Sequence, residues 1–142
     1  MEIAPAGDPV SRALRDARAI ANHTSAPTDV RRRVVPGLCR LALESALTDI
    51  VQRRELRAGR PHREVEAALE AARTVTQKAA LALFGDAGEG GKVLPRLNQI
   101  GHRHADAYQA LKKGAHGEPV GDPHATVTAA ERLIAALQAA LP

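Results

Sequence analysis

Apolar residues recur along this chain at three- and four-residue steps, and no stretch alternates apolar and polar positions long enough to form a convincing strand, so the pattern predicts an all-α protein. A first helix is expected from about residue 10 to 22, with Leu14, Ala17 and Ala21 on its apolar side. The second should cover about 30–58, where Leu43, Ala46, Leu47, Ile50 and Val51 form a stripe that Leu38, Cys39 and Ala42 extend backwards. Ser25 to Asp29 reads as its connector, ending in an N-cap, and Pro36 predicts a break or kink because proline removes a backbone donor. Gly59 and Pro61 separate this helix from a third over about 62–84, carried by Val65, Leu69, Ala72, Val75, Thr76, Ala79 and Leu83. A fourth spans 92–113, with a candidate interruption at Gly101, and lines up Leu97, His104, Tyr108 and Leu111 on one side. Asp122 and Pro123 start the last helix, in which Val127, Ala130, Ile134, Leu137 and Leu141 follow the spacing of helix-on-helix packing. The expected architecture is a four- to five-helix, mostly antiparallel bundle forming one domain over residues 10–142, preceded by a flexible lead-in at 1–9.

Composition narrows what such a bundle can do. Phe84 and Tyr108 are the only aromatic residues, so the core must be aliphatic and alanine-rich, and the stacking platforms that many single-strand binders use are missing. Cys39 is the only cysteine, which excludes an intramolecular disulfide and a multi-cysteine zinc site and leaves a small buried residue as the simplest reading. No apolar run approaches membrane-spanning length and the N-terminus lacks a basic-then-apolar leader pattern, so a cytoplasmic protein that does not enter the membrane is expected.

The net charge of +4 is unevenly distributed. Residues 28–60 carry eight arginines against four acidic residues, and residues 92–117 carry five lysines and arginines against one. If the two blocks share a face, they make a patch that attracts phosphate or an acidic protein. Arg31, Arg32 and Arg33 stand near a helix start, where the helix dipole disfavours cations, so local stability does not account for them. With Arg103 they are the candidate nucleic-acid contacts.

Candidate chemistry concentrates in the run Tyr108 to Gly117. Gly114 and Gly117 should end the helix there, placing His116 just past its end beside Lys112 and Lys113, where an imidazole titrating near neutrality can act as acid or base and an ammonium can hold a phosphate. A basic residue shortly before a histidine, at the junction of the third and fourth helices of a bundle, resembles the HEPN superfamily, whose hallmark is an arginine followed after four to six residues by histidine. Here Lys112 stands four residues before His116, and Gln109, Ala110 and Leu111 occupy the positions at which that arginine would fall. The same run resembles the tails of helical modules attached to bacterial defence ATPases. The first resemblance implies metal-independent RNA cleavage in bacterial defence or toxin–antitoxin biology, with His116 acting on the ribose 2′-hydroxyl, Lys112 or Lys113 on the phosphate, and the site assembled across a homodimer. The competing class is a non-catalytic module that dimerises or docks onto a larger ATPase or nuclease.

Other chemistries find less support. The glycines of residues 85–91 lack the lysine and the serine or threonine of a phosphate-cradling P-loop. His102 and His104, two apart on one helix, would point in different directions, and neither His102 with Asp106 nor His104 with Tyr108 completes a metal shell. No metal and no cofactor is expected; RNA, a protein partner and a second copy of the chain are the expected partners.

Overall fold

The computed structural model describes residues 8–114 and 121–141, and all regular structure among them is helical. The elements are α1 (Pro9–Ala21), α2 (Thr28–Arg57), α3 (His62–Ala71), α4 (Val75–Phe84), a 3₁₀ turn (Gly90–Lys92), α5 (Val93–Ile100), α6 (His104–Gly114) and α7 (Pro123–Ala140), packed through antiparallel contacts. The expected number of helices is too low because two of the expected helices are each divided in two.

At 30 residues α2 is the axle, about 45 Å long at 1.5 Å per residue, and α1, α3, α4, α6 and α7 all pack on it. Its stripe, from Val35 and Cys39 to Ile50 and Val51, is buried. Pro36 does not break it. The proline ring is itself buried in the core, and the carbonyl that loses its partner belongs to Arg32, an exposed residue near the helix start where water can replace the missing donor. The expected side-chain N-cap at 28–29 is also absent: Pro27 precedes the helix, while Thr28 and Asp29 lie inside its first turn.

Helix α1 begins one residue earlier than expected. Pro9 occupies its first turn, and Asp8, expected in the lead-in, caps it by accepting from the Val10 amide at 3.1 Å. Ala13, Ala17 and Ala21 recur at four-residue steps and are buried, so the small side chains allow close approach to α2. Arg18 ties the same helix to α7, reaching Glu131 at 2.6 Å and the Thr128 hydroxyl at 3.2 Å.

Gly59 ends α2 in a left-handed conformation (φ 85°), with Gly59 N–H donating to the Leu56 carbonyl and Arg60 N–H to that of Glu55, the two bonds of a Schellman motif. The expected helix over 62–84 is interrupted after Ala71. Ala72 leaves the helical region (ψ 81°), and Thr74 starts α4 with a capping box: its hydroxyl accepts from Gln77 N–H, and the Gln77 side-chain carbonyl accepts from Thr74 N–H. The expected helix over 92–113 is broken at residues 101–103, so Leu97 lies on α5 while His104, Tyr108 and Leu111 lie on α6. Leu97, Tyr108 and Leu111 nevertheless meet in one core with Leu43, Leu47, Val127, Leu133 and Leu137.

Candidate nucleic-acid interface

Lys112, on the last turn of α6, lines a cleft of ≈ 300 Å³ together with Arg40, Arg73, Thr74, Val75 and Thr76. Three chain segments deliver its cations: α2 supplies Arg40, the α3–α4 break supplies Arg73, and α6 supplies Lys112. Among the described residues no carboxylate lines this cleft. Its base is the amino end of α4, where the partial positive charge of the helix dipole favours an anion. The capping box and the Arg73 amide, which donates to Gln77 Oε1 at 2.8 Å, occupy the Gln77 and Thr74 side chains. The first-turn amides of Val75 and Thr76 have no helical acceptor four residues back.

Tyr108 fixes the wall of the cleft. Its ring is buried, and its hydroxyl donates to Thr76 Oγ1 at 2.8 Å, which joins α6 to the first turn of α4. Burial pushes the phenol pKa upward, opposed by the Thr76 hydrogen bond, so Tyr108 is a neutral donor at ordinary pH. The Lys112 ammonium lies 5.6 Å from the ring centroid, within cation–π range. Arg40 is partly neutralised by Glu44 at 3.4 Å, while its Nε is buried without a hydrogen-bond partner. Glu44 also stands 4.0 Å from Lys78.

The candidate residues divide under this geometry. Arg33 lies seven residues before Arg40 on α2, hence within about 20° of the same helical line and roughly 10 Å along it, and its exposed side chain extends the positive stripe beyond the cleft. Arg32 is exposed but does not line the cleft. Arg31 turns back on the fold: one guanidinium nitrogen donates to the Ala21 carbonyl at the end of α1 (3.1 Å), and another to Thr28 Oγ1 (3.3 Å). It caps a helix and stitches α1 to α2. Lys113 is exposed and outside the cleft. His116 and Gly117 lie outside the described residues.

Arg103 belongs to a different place. It lines a groove of ≈ 720 Å³ with His102, His104, Thr128 and Arg132, floored by alanines of α6 and α7. The groove stands near the opposite end of α6 from Lys112, about 13 Å away along the helix axis. The 92–117 block is therefore divided: Lys112 joins Arg40 of the 28–60 block in the cleft, whereas Arg103 lines the separate groove. His102 and His104, expected to diverge on one helix, line the same groove because the helix is broken between α5 and α6. Tyr108 bonds Thr76 and leaves His104 without it as a co-ligand, and among the described residues no three histidine, cysteine, aspartate or glutamate side chains gather as a metal site would need.

The sequence reading missed Arg40 and Arg73. Arg73 was legible in principle, because Thr74 and Gln77 spell a capping box inside an otherwise helical run and place the preceding residue at a helix start. Arg40 carries no such signal; only the packing of α2 against α4 and α6 brings it to Lys112. Among the described residues no helix is long and apolar enough to cross a membrane. Comparison with protein-family models, with curated proteins and with solved structures returns no match to this chain.

Proposed function

We propose that this chain binds the phosphate backbone of RNA through the Arg40, Arg73 and Lys112 cleft, as an HEPN-like helical protein of bacterial defence or toxin–antitoxin type. The observation that carries the reading is the convergence of three cations from three chain segments on the amino end of α4, in a cleft that no carboxylate of the described residues lines. Long-chain cations, free helix amides and hydroxyls are the donors that grip phosphate, and none of them reads a base. The near absence of aromatic residues fits the same picture, since contact with the backbone needs no stacking platform. The exposed Arg33 lengthens the track along α2.

Binding of a fluorescent single-stranded RNA, followed by anisotropy, tests this. Arg73→Glu combined with Lys112→Glu is expected to weaken binding by at least about tenfold while the helical circular dichroism stays unchanged. Unaltered affinity in a folded double variant rejects the cleft as the RNA site. Cleavage is the separate part of the proposal and falls on His116: His116→Ala should abolish cutting and leave RNA affinity intact. A wild-type protein that binds RNA without cutting it restricts the function to binding.

A second reading has its own observation. The four large apolar side chains that remain exposed among the described residues, Val30, Val34, Leu41 and Leu56, all stand on α2. At 100° per residue they fall within roughly 80° of arc; Val30, Val34 and Leu41 cluster in the first half of the helix, and Ser45, Thr48 and Gln52 separate them from Leu56 on the same arc. This favours a homodimer formed through α2. Val34→Lys with Leu41→Lys should convert a dimer to a monomer in light scattering; a wild-type chain that is already monomeric removes the homodimer.

A further inference from the structure

The groove between the α5–α6 turn and α7 holds charged and titratable groups that the RNA reading leaves unused. His102, Arg103, His104 and Arg132 line it with Thr128, and among the described residues no carboxylate lines it. The turn that builds it is conformationally costly. Arg103 adopts a left-handed backbone conformation (φ 67°), which is unfavourable for a residue with a Cβ and tends to persist where a local geometry is needed. A Cβ at Gly101 would lie 2.7 Å from His104 Nε2, so glycine lets the imidazole lie against the turn beside the groove, and a side chain there would displace it.

We propose that this groove is a pH-gated binding site for a small phosphomonoester dianion. The gate is the contact between His102 and Arg103, in which Arg103 Nε–H donates to His102 Nε2 at 3.2 Å. That bond requires an imidazole with a free lone pair on Nε2. Protonation turns Nε2 into a donor, ends the bond and leaves the imidazolium and the guanidinium side by side. A tetrahedral dianion between them accepts from both and removes their repulsion, with Arg132 as the second guanidinium across the groove.

Among the described residues, the carboxylates near this cluster lie beside the groove rather than in its lining. On α7, Glu131 is engaged by Arg18 of α1 at 2.6 Å. Asp122 caps α7 by accepting from His124 N–H at 3.0 Å. Arg96 of α5 is turned to Gln99 at 3.4 Å. Asp106 and Asp122 line an adjoining depression that shares Arg103, Ala107, Ala125 and Ala129 with the groove, so carboxylates face Arg103 from that side, while His102, His104 and Arg132 do not line it. The methyl floor of Ala107, Ala125 and Ala129 leaves room for the uncharged body of the ligand.

Sulfate is the appropriate first probe, because it remains a dianion from pH 5 to 8 and any pH dependence then belongs to the protein. The imidazole C–H resonances of the full chain, followed by NMR across that range, report each histidine separately once assigned by single His→Gln variants. Saturating sulfate should raise the titration midpoints of His102 and His104 by about one unit, equivalent to about tenfold tighter binding once each is charged, and leave those of His23, His62 and His124 in place. Arg132→Gln should abolish the upward movement, whereas Arg73→Glu with Lys112→Glu should preserve it, which separates this site from the RNA cleft. Inorganic phosphate and a nucleoside 5′-monophosphate complete the series: tighter binding of the nucleotide assigns the alanine floor to the ligand body, and equal binding assigns recognition to the phosphate group alone. Equal movement of all the histidines, or none at His102 and His104 in a folded protein, overturns the proposal, as does an undiminished shift in Arg132→Gln.

Discussion

Arg54→Ala should destabilise the fold by more than any ordinary surface substitution, because the Arg54 side chain spans two helices. From the C-terminal half of α2 its guanidinium donates to the Leu81 carbonyl at 2.8 Å and to the Ala82 carbonyl, both in the last turn of α4. The Ala82 carbonyl is an acceptor that the helix end cannot satisfy from within, the Leu81 carbonyl already accepts from Gly85 N–H at 2.9 Å and takes Arg54 as a second donor, and the cation also meets the negative end of the α4 dipole. Hydrogen bonds from charged donors contribute about 1.5–3 kcal/mol each. With the side chain one-third exposed, water competes for the site, and the low end of the range applies. Two such bonds give a loss of about 2–3 kcal/mol. Glu55 adds little to this, because it keeps Arg60 at 3.0 Å when Arg54 is removed. For a chain of this length the loss corresponds to a fall in Tm of roughly 6–10 °C, measurable by calorimetry or circular dichroism.

Arg53→Ala is the internal control. Arg53 sits one residue away on the same helix, but its Asp49 partner at 2.6 Å is an exposed i,i+4 pair, so its removal should cost no more than about 0.5 kcal/mol. Arg54→Lys keeps the charge and loses the fork, and should fall between the two. An Arg54→Ala protein that melts within about 2 °C of Arg53→Ala would show that the carbonyl contacts contribute nothing net, and the reasoning would fail.

Cys39 should be inert in the native state: burial, with a smaller contribution from the charge of Glu131, pushes its thiol up from 9.0 to about 12. A thiol reagent at pH 8 should therefore label it only as fast as the protein unfolds, and rapid stoichiometric labelling of folded protein would contradict its place in the core. Tyr108→Phe should cost about 1 kcal/mol in chemical denaturation by deleting the bond to Thr76, and an unchanged midpoint would show that the bond is not formed. The native phenol also has its pKa raised above the usual 10.0, so its proton is held more tightly in the folded state; stability should be level below pH 10 with respect to this group and decline as pH rises above it. A native Tyr108 that ionises below pH 10 by ultraviolet absorbance would have the opposite sign.

What sequence patterning could supply was set by how local each determinant is. The stripes on α2 and α7, the stop at Gly59 and the start at Asp122 are consequences of neighbouring residues, and the structure has them where periodicity and capping chemistry place them. The two divisions have different origins. At Thr74 a local capping signal is present, but the apolar spacing of Val65, Leu69, Ala72 and Val75 runs through it, so periodicity alone joins α3 to α4. At residues 101–103 the break falls where Gly101 marks a candidate interruption, but the turn also needs Arg103 in a conformation that arginine seldom adopts, which no local preference announces.

Arginine roles were the least legible of all. Arg18, Arg31 and Arg54 act as ties between helices, and Arg40 and Arg73 reach the Lys112 cleft. In sequence all are undifferentiated positive charges. Only tertiary packing decides whether a guanidinium meets a carbonyl of another helix or an open cleft. The block of charge at 28–60 thus contains structural caps as well as candidate phosphate ligands, and the sum of its charges overstates what is available to a partner.

The central claim, that the Arg40, Arg73 and Lys112 cleft grips phosphates, is tested most directly by the salt dependence of RNA affinity. Each phosphate neutralised on a single strand contributes about −0.7 to the slope of log affinity against log salt concentration, whatever its share of the total free energy. Arg73→Gln with Lys112→Gln should therefore flatten the slope by about 1.4, while Arg15→Gln, an exposed arginine on α1, should leave it unchanged. A slope that stays the same in the double variant, or an affinity of the wild-type chain that does not respond to salt, would contradict the account.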